Sequence, residues 1–361
     1  MSNKNMTKLS ASRIKTAQSC SWLYHCKYKL KLPDKTNDGA SRGTVCHLIL
    51  EVLAKKGRKN YYNKIIKAKS IFSVPSIGRL ATTWAKKLNV SDPENIELID
   101  YMTVNGLEHD YFGKDIDSPT HSFSEKKFDM EINNGDKRYR INGFIDKLFL
   151  YKGKKAALIR DFKTSKKVFE GKEIDDNLQD LMYSLAVKHL YPEYSFRQSE
   201  FLFLKFELGQ DLLGENNEGV LQMAPLSNEE LDGFEYQLTE WQNYLDSFNE
   251  ETAYSDFAFD RGFPEKDEGF SGKLLCGFAK HPGQLKKDGS PMWHCSYKFG
   301  FNYCALKDKD GNLKRSAFED DRDSLVEIQQ DGDIIEDLYY DGCPCHSPTP
   351  LQTDTNDEFS L

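Results

Sequence analysis

The chain has 361 residues, 39% of them hydrophobic and 29% charged, with a formal net charge of −8. This is ordinary for a globular protein built as one large domain, or as a core domain with an accessory one. No run of about 18 apolar residues is present to span a membrane, and the opening "MSNKNMTKLSASRIK" has no apolar signal core. A cytoplasmic location is expected, and with it reduced thiols rather than structural disulfides for the eight cysteines.

In chain order, "LSASRIKTAQSCSWLYHCKYKL" reads as a helix capped by Ser10 or Ser12, and "RGTVCHLILEVLAKKG" as a second helix ended by Gly57. Residues 60–117 read as helical, with a start signal at Ser91-Asp92-Pro93. Three strand-like runs follow, "SFSEKKFDMEI", "KRYRINGFIDKLFLYK" and "KAALIRDFKTS", divided by "NNGD" and "KGKK" turns. "EIDDNLQDLMYSLAVKHLYPE" is an amphipathic helix with Leu178, Leu181 and Leu185 in a stripe, "SFRQSEFLFLKFEL" is a fourth strand, and residues 226–250 are helical again. Three cysteines fall in 264–305. Beyond them Leu325, Val326, Ile334, Ile335 and Leu338 stand in a helix-like register, and the acidic end is expected to be disordered from about residue 346.

Charge is unevenly distributed. Residues 1–70 carry 16 Lys or Arg against 3 acids, whereas residues 319–361 carry one Arg against 13 acids. The basic segment is a candidate phosphate-binding surface, with Arg13, Lys15, Lys27, Lys29 and Lys31 as contacts; the alternative is a solvated surface. Trp22, Tyr24 and Tyr28 are either stacking faces for unpaired bases or core aromatics.

The run "LIRDFKTSK" ends in Asp161 and Lys163, which share one face of a strand. "NGFIDKL" puts Asp146 near the end of the preceding strand, and neighbouring strands lie ~4.8 Å apart, so the two carboxylates can meet over one edge. Close carboxylates repel, and a divalent cation such as Mg²⁺ or Mn²⁺ relieves the repulsion. His47 and Glu51 lie four apart on one helix, and so do Gln179 and Tyr183 on another. Taken singly, each of these residues has a bland reading: a surface ion pair, a turn acid, a core histidine, ordinary helix positions.

Together, "GTVCHLILE", "GFID", "DFKTS" and "QDLMY" resemble, in order and spacing, the motifs of the PD-(D/E)XK nuclease superfamily, in its RecB-like branch. The resemblance runs over roughly residues 8–205, and more weakly over 276–304. It implies an α/β fold: a restriction-endonuclease-like mixed-sheet core with N-terminal helices, a helical insertion and a cysteine-closed C-terminal part. It implies metal binding by His47, Asp146 and Asp161 with the Phe162 carbonyl, catalysis by Asp161 and Lys163, and support from Gln179 and Tyr183. Glu51 and Glu125 would stand behind the metal ligands. One cysteine before the core, Cys20, and three after it, Cys276, Cys295 and Cys304, resemble the iron–sulfur members, which include the AddB nuclease domain, exonuclease V and CRISPR-associated relatives. That implies a [4Fe–4S] cluster holding the chain ends together. The spacing departs from that pattern, and Ser21 stands where proline often follows the first cysteine, so Cys26, Cys343 and Cys345 are rival ligands and zinc or free thiols are alternatives.

The expected organisation is residues 1–59 as N-terminal helices with the first cluster cysteine and the His motif, 60–120 as a helical insertion, 121–225 as the nuclease core, 226–310 as a helix and cysteine region, and 311–361 as an acidic tail. The implied activity is a metal-dependent DNA exonuclease of replication, recombination or repair, of a kind phages also encode, acting on ends with single-stranded character. There is no Walker-A motif, so a helicase or recombination protein would be a separate partner. The rivals are a CRISPR-adaptation end-trimming nuclease and a non-catalytic DNA-binding or partner-docking module.

Overall fold

The computed structural model describes residues 6–346 except 36, 56, 209–217 and 255–275. The expected disorder from about residue 346 falls almost wholly outside the described residues. In chain order the helices are α1 (Ala11–Ser19), α2 (Ser21–Tyr24), α3 (Asp38–Ala54), α4 (Lys59–Ala68), α5 (Pro75–Lys87) and α6 (Pro93–Glu108). Then come β1 (His121–Asn134), β2 (Lys137–Tyr151), β3 (Ala156–Lys163), α7 (Lys172–Asp175), α8 (Leu178–Leu190), β4 (Phe196–Phe203) and β5 (Val220–Gln222). The chain continues through α9 (Asn228–Ser247), α10 (Glu250–Ala253), β6 (Phe299–Lys307), β7 (Leu313–Phe318), α11 (Asp323–Val326) and β8 (Ile334–Gly342). Among the described residues no helix is long and apolar enough to cross a membrane.

The chain divides into two compact units, Met1–Ala11 with Thr36–Asp246, and Ser12–Lys35 with Ser247–Leu361. The first is a five-stranded mixed sheet in the order β1-β2-β3-β4-β5, antiparallel except for the β3–β4 pair. A parallel pair needs a crossover, and α8 supplies it. This is the expected restriction-endonuclease-like α/β core. Val45 and Ile49 of α3, Ile77 of α5 and Met102 of α6 form one cluster with Phe162 and Leu202 of the sheet. The helical insertion therefore belongs to the core of this unit.

Residues 157–162 of β3 are all buried, Arg160 and Asp161 included. Arg160 is matched by its register partner on β4: its Nε donates to Glu200 Oε1 at 2.7 Å. Its Nη1 donates to the carbonyls of His109 and Asp110. A buried guanidinium is tolerated because its donors are satisfied.

Two helices end where local chemistry dictates rather than where the apolar pattern runs out. The expected single helix over residues 9–30 is broken at Cys20, whose extended backbone (φ −165°) separates α1 from α2. The helix expected from residue 173 is split by Asn177, whose side chain accepts the N–H groups of Gln179 and Asp180 and starts α8.

In the second unit β7-β6-β8 form an antiparallel sheet over a small core of Cys304, Leu306, Ala317 and Leu325. Residues 311–342, expected as part of an acidic tail, therefore include two strands. Cations pair with some of their acids: Lys307 with Glu336 and Lys314 with Asp333, both at 2.6 Å, and Arg322 with Asp337. The helix-like register from Leu325 to Leu338 is not one helix. Gly332, at φ 83°, turns the chain between the single turn α11 and strand β8.

Candidate active site

The β2–β3 ladder stops at the Lys147–Arg160 pair, one residue short of Asp146 and Asp161. The strands part where the two carboxylates stand, and Asp146 Oδ2 takes the freed N–H of Phe162 at 2.8 Å. Asp146 lies within β2 and not at its end, since the strand runs on to Tyr151.

His47 reaches this point from α3. A side chain at Gly43, one turn earlier, would meet Thr164 Oγ1 at 2.7 Å, so the bare backbone lets α3 lie close against the end of β3. His47 Nε2 is then 3.1 Å from the Phe162 carbonyl and Nδ1 is 3.4 Å from Asp146 Oδ2. Burial disfavours the imidazolium, but Asp146, Asp161 and Glu125 outweigh it and raise His47 to about 9.

Glu125 completes the group. His47, Glu125 and Asp146 each offer a ligand atom, and the three atoms lie within 4.8 Å of one another. Glu125 has the left-handed backbone (φ 49°) that glutamate rarely adopts. Burial and the Asp146 charge push its carboxyl up to about 7. Crowded oxygen donors and one imidazole suit a hard divalent cation.

Beside this group Asp161, Lys163, Gln179 and Tyr183 form one network. Lys163 Nζ is 2.7 Å from Asp161 Oδ2 and donates to Gln179 Oε1 at 2.5 Å. The Gln179 amide donates to Asp161 Oδ1 at 2.6 Å and to the Tyr183 hydroxyl at 2.7 Å. Burial and Asp146 push Asp161 up to about 6, against the pull of Lys163 and His47. Burial holds Tyr183 protonated well above its usual range.

The sequence profile of the PD-(D/E)XK nuclease superfamily matches residues 8–263. The chain belongs to that superfamily. No curated protein matches the nuclease significantly. Among solved structures, one similar chain is a candidate exonuclease from Eubacterium rectale, with 9% identity, 71% of this chain and 93% of that chain covered, and a TM-score of 0.38. Another is SSO0001, with 17% identity, 58% and 88% covered, and a TM-score of 0.27.

The structure of the nuclease brings His47, Asp146, Asp161, Lys163, Gln179 and Tyr183 together, but distributes them differently from the expectation. The compact ligand group contains Glu125, while Asp161 faces Lys163 and Gln179. Glu51 lies outside that group and pairs with Lys55 at 3.2 Å. Glu125, expected behind the metal ligands, instead supplies one of the three clustered ligand atoms, a place that "SFSEKKF" by itself does not mark.

Of the residues proposed for the basic surface, all five belong to the second unit. Arg13 stacks over Tyr28, Lys27 pairs with Asp34 at 3.0 Å, Lys29 lies over Phe248, and Lys31 has φ 53°. Trp22 and Tyr24 are buried, and Trp22 Nε1 donates to the Tyr340 hydroxyl, so both are core aromatics.

The same unit of the nuclease contains a cavity lined by Cys20, Cys276, Cys295 and Cys343, with Trp22 and Tyr297 among its walls. Burial raises the Cys276, Cys295 and Cys343 thiols above their usual range, and Cys20 adds to each shift. Cys304, expected in this set, is not among the lining residues; it faces Asp337 and Arg322 at the small sheet. Cys26 is instead 3.4 Å from the Tyr340 hydroxyl, and Cys345 is not a lining residue.

Proposed function

We propose that the protein is a metal-dependent DNA exonuclease that hydrolyses phosphodiester bonds at DNA ends. The observation that carries this is the trio His47, Glu125 and Asp146 standing beside the Asp161–Lys163–Gln179 network. The trio fits Mg²⁺ or Mn²⁺, because a divalent cation would take the place of the protons that otherwise hold two carboxylates and an imidazole this close. When bound, such an ion polarises a phosphoryl oxygen and lowers the pKa of water. Lys163 supplies the cation for the phosphate oxygens, and Asp161 and Gln179 hold its Nζ in place. Tyr183, kept protonated, fixes the Gln179 amide.

In this reading Cys20, Cys276, Cys295 and Cys343 hold a [4Fe–4S] cluster in the second unit, with Cys343 in place of Cys304. Four thiols around one cavity support it. Among the described residues no three of these sulfurs lie within 4.8 Å of one another. A single zinc would need sulfurs ~3.8 Å apart around it, closer than any three of these stand, and iron and zinc analysis of the purified protein decides between the two.

The experiment for the activity is degradation of end-labelled single-stranded and duplex DNA with Mg²⁺ or Mn²⁺, with EDTA and Lys163→Ala as controls. Loss of label in the wild type alone supports the reading; equal loss in EDTA or in the variant removes it. Labels on 5′ and 3′ ends report polarity.

A further inference from the structure

Next to Lys163 the first unit opens into a wide groove walled by Arg42, Lys166 and Lys205, with Asp38 and Glu94 also on its lining. Arg42, on the first turns of α3, is buried at 8% exposure, and its Nε has no hydrogen-bond partner. One of its amino groups donates to Asn95 Oδ1, and Asn95 in turn reaches the Asp92 carboxylate and lowers its pKa, to which Arg42 adds through space without forming an ion pair. Among the described residues no carboxylate forms an ion pair with Arg42, Lys166 or Lys205. A buried guanidinium with no carboxylate in ion-pair contact is costly. Burial, with Arg42 and Lys166 nearby, also holds Lys205 below the ordinary lysine range. Three cations converge beside the lysine that would face the scissile phosphate, and neither Asp38 nor Glu94 on the same lining forms an ion pair with any of them, which gives the groove the character of an anion site.

We propose that this groove binds a second phosphate of the substrate strand, beside the one being cut, gripped by Arg42, Lys166 and Lys205. The inference rests on the nuclease reading above and adds the strand-positioning residues to it. The ligand chemistry is a phosphate, from the interior of the strand or from its end. Phosphate contacts position a strand without reading its sequence, so these residues act on register and affinity rather than on base choice.

The test uses the full-length protein carrying Lys166→Gln and Lys205→Gln together, and separately Arg42→Gln, which keeps a donor for Asn95. Binding of a labelled oligonucleotide is followed by anisotropy in EDTA across a salt series, and turnover is measured with Mn²⁺. Removing these charge-assisted hydrogen bonds should raise Kd ~10-fold or more, with the effect falling on KM more than on kcat. The slope of log Kd against log salt should fall by about 1 for each phosphate-binding cation neutralised, which a merely structural role would not produce. Oligonucleotides with 5′-phosphate, 3′-phosphate or hydroxyl ends separate the sources. A loss of affinity confined to one phosphorylated end assigns the groove to a terminal phosphate, and an equal loss on all three assigns it to the strand interior. An unchanged Kd and slope in the lysine pair overturns the subsite. A wild type that binds DNA without cleaving it overturns the nuclease reading instead, and the Kd comparison still decides the subsite.

Discussion

Glu125 faces Asp146 across the β1–β2 pair. The register joins Ser124 to Lys147 and Lys126 to Ile145, and leaves these two acids opposite each other between them. Like charges directly opposite in a sheet are destabilising, and Glu125 also carries the strain of a positive φ. Two costs at one position motivate a functional role for Glu125.

The first prediction follows from that pair. Mn²⁺ at ~100 times its Kd should stabilise the wild type by ~2.7 kcal/mol. Glu125→Gln should lose most of this gain, while the metal-free variant remains at least as stable as the metal-free wild type. Thermal melts with Mn²⁺ and with EDTA measure both, and an unchanged Mn²⁺ shift would remove Glu125 from the ligand set.

Gly43 gives the second. Its Cβ would sit 2.7 Å from Thr164 Oγ1, with the rest of Thr164 at 3.8 Å. Gly43→Ala should therefore push α3 away from β3, at a cost of ~1–3 kcal/mol, and carry His47 with it. Metal binding should weaken by more than stability falls. Adding Thr164→Ala removes the obstructing oxygen and should restore both, as titration calorimetry can show; a double variant no better than Gly43→Ala alone would refute the close approach.

The third concerns the buried pair of Arg160 and Glu200. Burial alone would raise the Glu200 carboxyl, but Arg160 and His109 overcome it and hold it at about 2, below its ordinary 4.5. The folded form thus favours the carboxylate. The stabilisation is fully present above pH 4.5 and is lost as the pH falls toward 2. Glu200→Gln strands the guanidinium and should cost ~3–5 kcal/mol at neutral pH. Its stability should also fall less steeply than the wild type's between pH 4.5 and 2, in denaturant melts across that window.

The fourth separates two cysteines. If the cavity holds iron and sulfide, anaerobically purified wild type should absorb broadly near ~400 nm. Cys343→Ser should lose that absorbance and Cys304→Ser should keep it. The opposite pattern would put Cys304 in the ligand set in place of Cys343, and a colourless wild type with stoichiometric zinc would replace the cluster by a single metal.

The residues of the candidate site were legible through their resemblance, in order and spacing, to a known family's motifs. Backbone periodicity adds only that Asp161 and Lys163 share a strand face and that His47 with Glu51, and Gln179 with Tyr183, share helix faces. The strand and helix patterns that carry them were legible because period is a property of sequence. Glu125, Arg42 and Cys343 are of another kind. Glu125 gains its neighbour from strand register, Arg42 loses its solvent to helix packing, and Cys343 comes to Cys20 from the other end of the chain. Spacing along the chain says nothing about such meetings. They are decided when burial and hydrogen bonding select one register and one packing, and only the tertiary structure makes that selection.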